Sequence, residues 1–82
     1  PSGMAFYTGD LFPEWQGDLF VGALKMRKLV RLRIQDGNVT EEEDLLTDLG
    51  ERIRDVRTGP EGALWLLTDS PRGKVYRMVP VQ

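Results

Sequence analysis

Short apolar runs separated at brief intervals by glycine- and proline-bearing turns commit this chain to a meander of β-strands. The turns are Thr8-Gly9-Asp10, Asp36-Gly37-Asn38, Gly59-Pro60-Glu61-Gly62 and Ser70-Pro71-Arg72-Gly73. Glycine supplies positive φ in such turns, and proline fixes φ near the value that early turn positions need. Residues 18–24 (DLFVGAL) are nearly continuous in apolar character, which predicts a central strand covered on both faces. Residues 28–35 (KLVRLRIQ) alternate instead. Val30, Leu32 and Ile34 share one face, and Arg31 and Arg33 project from the other toward solvent, the pattern of a half-buried strand. The Asp36-Gly37 pair then favours a tight hairpin into the next strand. Residues 41–46 (EEEDLL) have a helix-forming composition but are too few for a stable helix by propensity alone. They read as an outer edge strand whose charges discourage pairing with other chains. The acidic run lacks the alternating oxygen ligands and central glycine of a hand-type calcium loop, so it predicts a solvated edge.

After Gly50 the pattern starts again, with strand-like runs at residues 53–58, 63–68 and 74–79. Aligning residues 3–7 with 53–58, 20–24 with 64–68 and 29–34 with 75–79 gives a repeat of about 45 to 50 residues, within the range of propeller blades. The first unit, residues 1–49, has four candidate strands. The second, residues 50–82, has three, the deficit expected where a propeller closes by borrowing a strand from elsewhere in the chain. Periodicity alone equally admits a small barrel or a plain antiparallel sheet.

Eighty-two residues form at most one domain with a thin core. Hydrophobic content of 40% against 29% charged residues lies far from the regime that stays disordered. A formal net charge of -2 provides no global field for nucleic acid or an anionic membrane. The chain has no cysteine and no histidine. Disulfide frameworks, zinc–thiolate clusters and thiol nucleophiles are thereby excluded, as is the commonest general base. No run approaches the apolar length that crosses a bilayer, and residues 1–6 lack the charged start and apolar stretch of a signal peptide.

Four segments carry a more specific message: residues 2–7 (SGMAFY), 18–25 (DLFVGALK), 52–62 (RIRDVRTGPEG) and 64–69 (LWLLTD). In this order they resemble the last blades of the soluble pyrroloquinoline-quinone-dependent aldose sugar dehydrogenases, within the glucose and sorbosone dehydrogenase family. The resemblance implies an all-β fold of antiparallel four-stranded blades, of which this chain holds about two from a six-bladed β-propeller. It further implies oxidation of aldose sugars to lactones in the complete enzyme, with pyrroloquinoline quinone as cofactor, calcium to polarise it, and a periplasmic or secreted location. The family's catalytic histidine and calcium-binding segment have no counterpart in these residues, so no catalytic or metal-ligating residue is assigned and the isolated chain is expected to be inactive. The cofactor-contacting basic residues of the family match Lys25, Arg52 and Arg54.

The chemistry accords with that match. The quinone bears three carboxylates and electrophilic carbonyls, which suit planar guanidinium forks and a positive group near oxygens that gain charge on reduction. Arg52 and Arg54, two apart, share a face of a strand. Lys25 follows an apolar run and falls at a strand end. Charges spaced by two are more often the wet face of a strand, the reading given to Arg31 and Arg33. Asp55 admits two roles, orienting an arginine or, at least equally, making a structural ion pair or turn cap; Trp65 is assigned to the core, and Trp15 to a loop with no decided role. The expected partners are the remaining blades of a propeller or other copies of the chain. The alternative function is a non-catalytic scaffold that self-associates through exposed sheet edges. Nucleic acid and membrane are not expected partners, since no aromatic-basic motif accompanies Arg31, Arg33 and Arg57.

Overall fold

The computed structural model describes residues 3–23, 27–69 and 72–81. Among them the elements run β1 (Gly3–Phe6), a 3-10 turn (Pro13–Trp15), β2 (Leu19–Ala23), β3 (Lys28–Gln35), β4 (Asn38–Leu45), β5 (Ile53–Thr58), β6 (Leu64–Thr68) and β7 (Val75–Met78). Strands β1-β2-β3-β4 form one antiparallel sheet and β5-β6-β7 a second. Asp36 and Gly37 join β3 to β4 with φ of 53° and 80°. Two successive positive φ values suit the right-handed twist of the flanking strands, which is why Asp-Gly closes this hairpin. The chain is thus nearly all-β, and the two sheets stack face to face as neighbouring propeller blades do.

Their shared core is apolar and small. Tyr7, Phe20 and Leu29 enter it from the first sheet, and Ile53, Val56, Leu64 and Leu66 from the second. Phe20, Leu29, Ile53 and Leu64 are completely buried, and burial of each stabilises the fold by about 1.5–3 kcal/mol. Tyr7 adds a polar tie. Its hydroxyl donates to the Gly62 carbonyl at 2.5 Å and accepts from the Phe12 amide at 3.0 Å, so one buried oxygen joins β1 to the turn before β6.

Residue size changes in a regular way across the first sheet. One cross-strand row reads Gly3, Gly22, Leu29, Leu45, and the next reads Ala5, Phe20, Arg31, Glu43. A Cβ on Gly3 would stand 2.6 Å from the Asp55 Cα, and one on Gly22 2.7 Å from the Ile53 Cγ2. Both distances are closer than atoms tolerate. The sheets therefore touch at β1, β2 and β5, and longer side chains fill the space between them toward β3 and β4.

Several expectations need correction. The face of β3 bearing Val30, Leu32 and Ile34 is only half-buried to exposed, whereas Leu29 and Arg31 on the other face are 0% and 6% exposed. Alternation identifies two faces but does not say which one is covered; here Leu29 joins the shared core, and Asp18, Glu41, Glu43 and Trp15 cover Arg31 on the same face. For the same reason β2 is sealed at Phe20 and Gly22 but only half-covered at Leu19, Val21 and Ala23. Trp65 lies outside the core, half-buried on the far face of the second sheet opposite Arg77. The repeat alignment also shifts by one residue in β2 and β6. Gly17 and Gly62, each two residues ahead of its strand, share φ of 84° and 83°, which matches Leu19 with Leu64 and Phe20 with Trp65. With a side-chain period of two, that single step exchanges the faces.

Candidate functional site

Arg52 and Arg54 flank Ile53, and Ile53 is what holds them. Its side chain is fully buried against Gly22, which fixes the backbone at the entry to β5 and directs both neighbours outward. Both arginines are exposed. The Asp69 amide donates to the Arg52 carbonyl at 2.8 Å, tying this entry to the end of β6. The pairing register then slips between Ile53 and Asp55, leaving Arg54 on a bulge without a cross-strand partner. A bulge re-aims a side chain and ends regular alternation, so simple i, i+2 geometry holds only up to Arg54. Among the described residues neither guanidinium is engaged by a carboxylate. Lys25, the third predicted cation, lies outside the described residues, as does the Ser70-Pro71 half of the last predicted turn.

The arginines at the same spacing in β3 have a different fate. Arg31 donates from Nη1 to Asp18 Oδ2 at 2.6 Å, from Nε to Glu43 Oε1 at 2.8 Å and from Nη2 to Glu41 Oε1 at 3.1 Å. Arg33 donates from Nε to Asp18 Oδ1 at 3.0 Å and from Nη1 to Glu41 Oε2 at 2.8 Å, and its Nη2 binds the Glu14 carbonyl. The side chains of Arg31 and Asp18 are 8% and 3% exposed. Burial lowers the Arg31 pKa, but the hydrogen bonds to Glu43, Asp18 and Glu41 more than reverse it and hold the guanidinium above its ordinary value. The bond to Asp18 raises Arg33 likewise, against burial. These two arginines are therefore not the solvent-facing pair expected. They are neutralised in place and offer no charge to a ligand.

Asp18 is the residue that sequence reasoning missed. A signal for the cluster existed: a strand with arginines at alternate positions runs through a two-residue turn into one with glutamates at alternate positions, so opposite charges must stand across from each other. The register places Arg31 opposite Glu43 and Arg33 opposite Glu41. Trp15 also acquires a role, stacked on Phe12 at 4.6 Å and packed against the core, with the Arg31 guanidinium 6.0 Å from its ring. Asp55 is structural as expected. Its carboxylate accepts from the Val56 amide at 2.9 Å and from Arg57 Nε at 3.0 Å.

Two open grooves lie along the junction of the sheets. One, of about 380 Å³, runs between β1 and β5 and is lined by Met4, Phe6, Asp55, Arg57 and Thr58. The other, of about 360 Å³, is more polar and is formed by the Thr8–Asp10 and Gly59–Gly62 turns with Gln16. Neither includes Arg52 or Arg54. Among the described residues the pair constitutes an exposed cationic edge, outside both of these grooves. Exposed guanidinium groups are the donor chemistry that carboxylates require, so the residues present fit one side of a tricarboxylate such as pyrroloquinoline quinone.

Comparison with known proteins gives a consistent result. Residues 1–77 match the family described as Glucose / Sorbosone dehydrogenase. Aldose sugar dehydrogenase YliI of Escherichia coli (strain K12) is 51% identical over 79 residues, which cover 96% of this chain and 21% of that protein. An uncharacterised protein of Synechocystis sp. is 42% identical over 78 residues, 95% of this chain and 19% of its own length. The chain therefore spans about a fifth of these curated relatives. Among solved structures, a glucose dehydrogenase superposes with a TM-score of 0.91 at 51% identity, covering 96% of this chain and 25% of its own. The soluble aldose sugar dehydrogenase of E. coli in its apo-form gives 0.84 at 51% identity, covering 92% and 22%.

Proposed function

We propose a function for this chain from one premise: it belongs to the glucose/sorbosone dehydrogenase family. On that premise the chain supplies two neighbouring blades of a sugar-oxidising six-bladed propeller, the units dividing near residues 49 and 50. Arg52 and Arg54 form one edge of the site for an anionic quinone, with Lys25 as the third cation. The observation that carries this reading is the contrast between two arginine pairs of equal spacing. Arg31 and Arg33 are taken up by Asp18, Glu41 and Glu43, whereas Arg52 and Arg54 stand exposed without a carboxylate among the described residues.

Pyrroloquinoline quinone, when bound, supplies the electron acceptor for sugar oxidation. The part of this chain is electrostatic. Arg52 and Arg54 bind and orient carboxylates through guanidinium forks, and the buried Ile53 between them fixes the backbone from which both side chains project. A chain with no histidine has no imidazole to take the sugar proton, so this step falls to other blades, where the family resemblance also puts the calcium site.

The test is equilibrium dialysis of the chain with pyrroloquinoline quinone and calcium, together with a dye-reduction assay on added aldose. The expected result is weak, salt-sensitive quinone binding that falls about tenfold or more in the R52A/R54A double variant, with no dye reduction by either protein. Unchanged binding in the double variant overturns the assignment of the arginines. Dye reduction by the chain, free of full-length enzyme, overturns the division of labour between blades.

A further inference from the structure

The exposed arginine pair stands between two acids of its own segment. In residues 51–57 (ERIRDVR) Glu51 immediately precedes Arg52, and Asp55 immediately follows Arg54. Consecutive Cα atoms are only about 3.8 Å apart, and glutamate and arginine side chains both span that distance. An unanchored Glu51 carboxylate therefore reaches the Arg52 guanidinium, and a charge-assisted pair there takes up the donors that an anionic ligand needs. Arg31 and Arg33 show that fate in β3, where Asp18, Glu41 and Glu43 occupy them.

The fold draws both flanking acids away. Glu51 Oε2 accepts from the Tyr76 hydroxyl at 2.6 Å and lies 3.9 Å from Lys74 Nζ. The lysine contact is long and its side chain is 60% exposed, so the tyrosine is the principal anchor. Tyr76 reaches Glu51 from β7 and packs against the shared core, which fixes where its hydroxyl stands. The bond to Glu51, then burial, raises the Tyr76 pKa above its ordinary value, so the hydroxyl remains a donor at neutral pH. Asp55 is committed at both oxygens. Its Oδ1 accepts from the Val56 amide at 2.9 Å and its Oδ2 from Arg57 Nε at 3.0 Å.

We propose that Tyr76 is a positioning residue for anion binding: by holding the Glu51 carboxylate toward β7, it keeps the neighbouring Arg52 guanidinium available to a carboxylate ligand. Tyr76 acts through Glu51 and needs no contact with the ligand. The Asp55 flank requires no such partner from another strand, because the amide of the next residue serves it. The inference rests on the reading of Arg52 and Arg54 as one edge of the quinone site.

Equilibrium dialysis with pyrroloquinoline quinone and calcium tests it on Tyr76→Phe, Glu51→Gln, the Y76F/E51Q double variant and R52A/R54A, with circular dichroism confirming that each is folded. Tyr76→Phe keeps the ring against the core and removes only the donor. Binding is expected to weaken about threefold to fivefold in Tyr76→Phe, the effect of one exposed ion pair competing with the ligand. Glu51→Gln alone and the double variant should both bind within about twofold of the unmodified chain. A merely structural defect is not repaired by removing a second group, whereas neutralising a released carboxylate repairs an electrostatic one. Unchanged binding in Tyr76→Phe, or a loss that Glu51→Gln does not restore, overturns the proposal, and weakened binding in R52A/R54A then leaves the functional reading standing. Binding that R52A/R54A does not weaken overturns that reading and the proposal with it.

Discussion

Replacing Tyr7 by phenylalanine removes one oxygen from the interior and leaves every ring contact in place. Tyr7 is 1% exposed and packs edge-on against Phe12 and Phe20, with ring centroids at 5.8 Å and 6.3 Å. A phenylalanine keeps those contacts, so any loss is polar. Two backbone groups lose their partner together, the Gly62 carbonyl and the Phe12 amide, both on buried residues. Each buried group left unsatisfied costs about 1–3 kcal/mol, and the apolar replacement recovers part of it, so the net destabilisation is about 2–4 kcal/mol. For a domain of this length that lowers the melting temperature by about 10–25 °C. The assay is guanidinium unfolding followed by circular dichroism, where a slope of about 2 kcal/mol/M converts the loss into a midpoint about 1–2 M lower. The slope itself should not change, because the same surface is exposed. A midpoint within about 0.2 M of the unmodified chain would refute the reasoning, since it would mean that water serves both backbone groups as well as the hydroxyl does.

Two further outcomes follow from the ion cluster and the second sheet. Asp18→Ala should destabilise the chain by about 3 kcal/mol in urea unfolding, the low end for breaking a buried pair, because Glu41 and Glu43 still hold Arg31; a loss below about 1 kcal/mol would show the cluster to be dispensable. Tyr76 donates to Glu51 Oε2 at 2.6 Å, and that bond, then burial, raises its pKa above the ordinary tyrosine value. The folded state keeps the proton longer than the unfolded one, so the contribution is complete below about pH 10 and is lost as pH rises through the folded value. Tyr76→Phe should therefore flatten the alkaline decline in stability, and an identical decline in both proteins would contradict the bond.

Some of this architecture is legible in the order of residues alone. The hairpin at Asp36-Gly37 is, because that residue pair tolerates two positive φ values in succession and few others do. Strands β3 and β5 begin and end where their residue pattern says, since each is bounded by turn-forming or bulky-to-polar changes that act locally. What escapes is the direction of the faces. Val30, Leu32 and Ile34 are as hydrophobic as core residues, yet the neighbouring sheet lies on the other side, where Asp18 makes burial of Arg31 tolerable. That choice is made by contacts some 12 to 15 residues apart in the chain, beyond the reach of a period-two argument. The candidate site shows the same limit. Arg31 and Arg33 are indistinguishable by spacing from Arg52 and Arg54, and it is the glutamate-bearing strand across the Asp36-Gly37 turn that separates the pair that is taken up from the pair that is exposed. Size alone assigns Trp65 to the core, but β6 turns that position away from the first sheet.

The row of Gly3, Gly22, Leu29 and Leu45 has a consequence for how such units assemble. A layer of side chains that thickens steadily from one edge of a sheet to the other is a wedge, and wedges set side by side generate an arc. The taper of one cross-strand row therefore specifies an angular sector, and the number of sectors that complete a circle is a property of residue volumes in that row. Enlarging either glycine would force the narrow edge open and flatten the arc, while enlarging Leu29 or Leu45 would sharpen it.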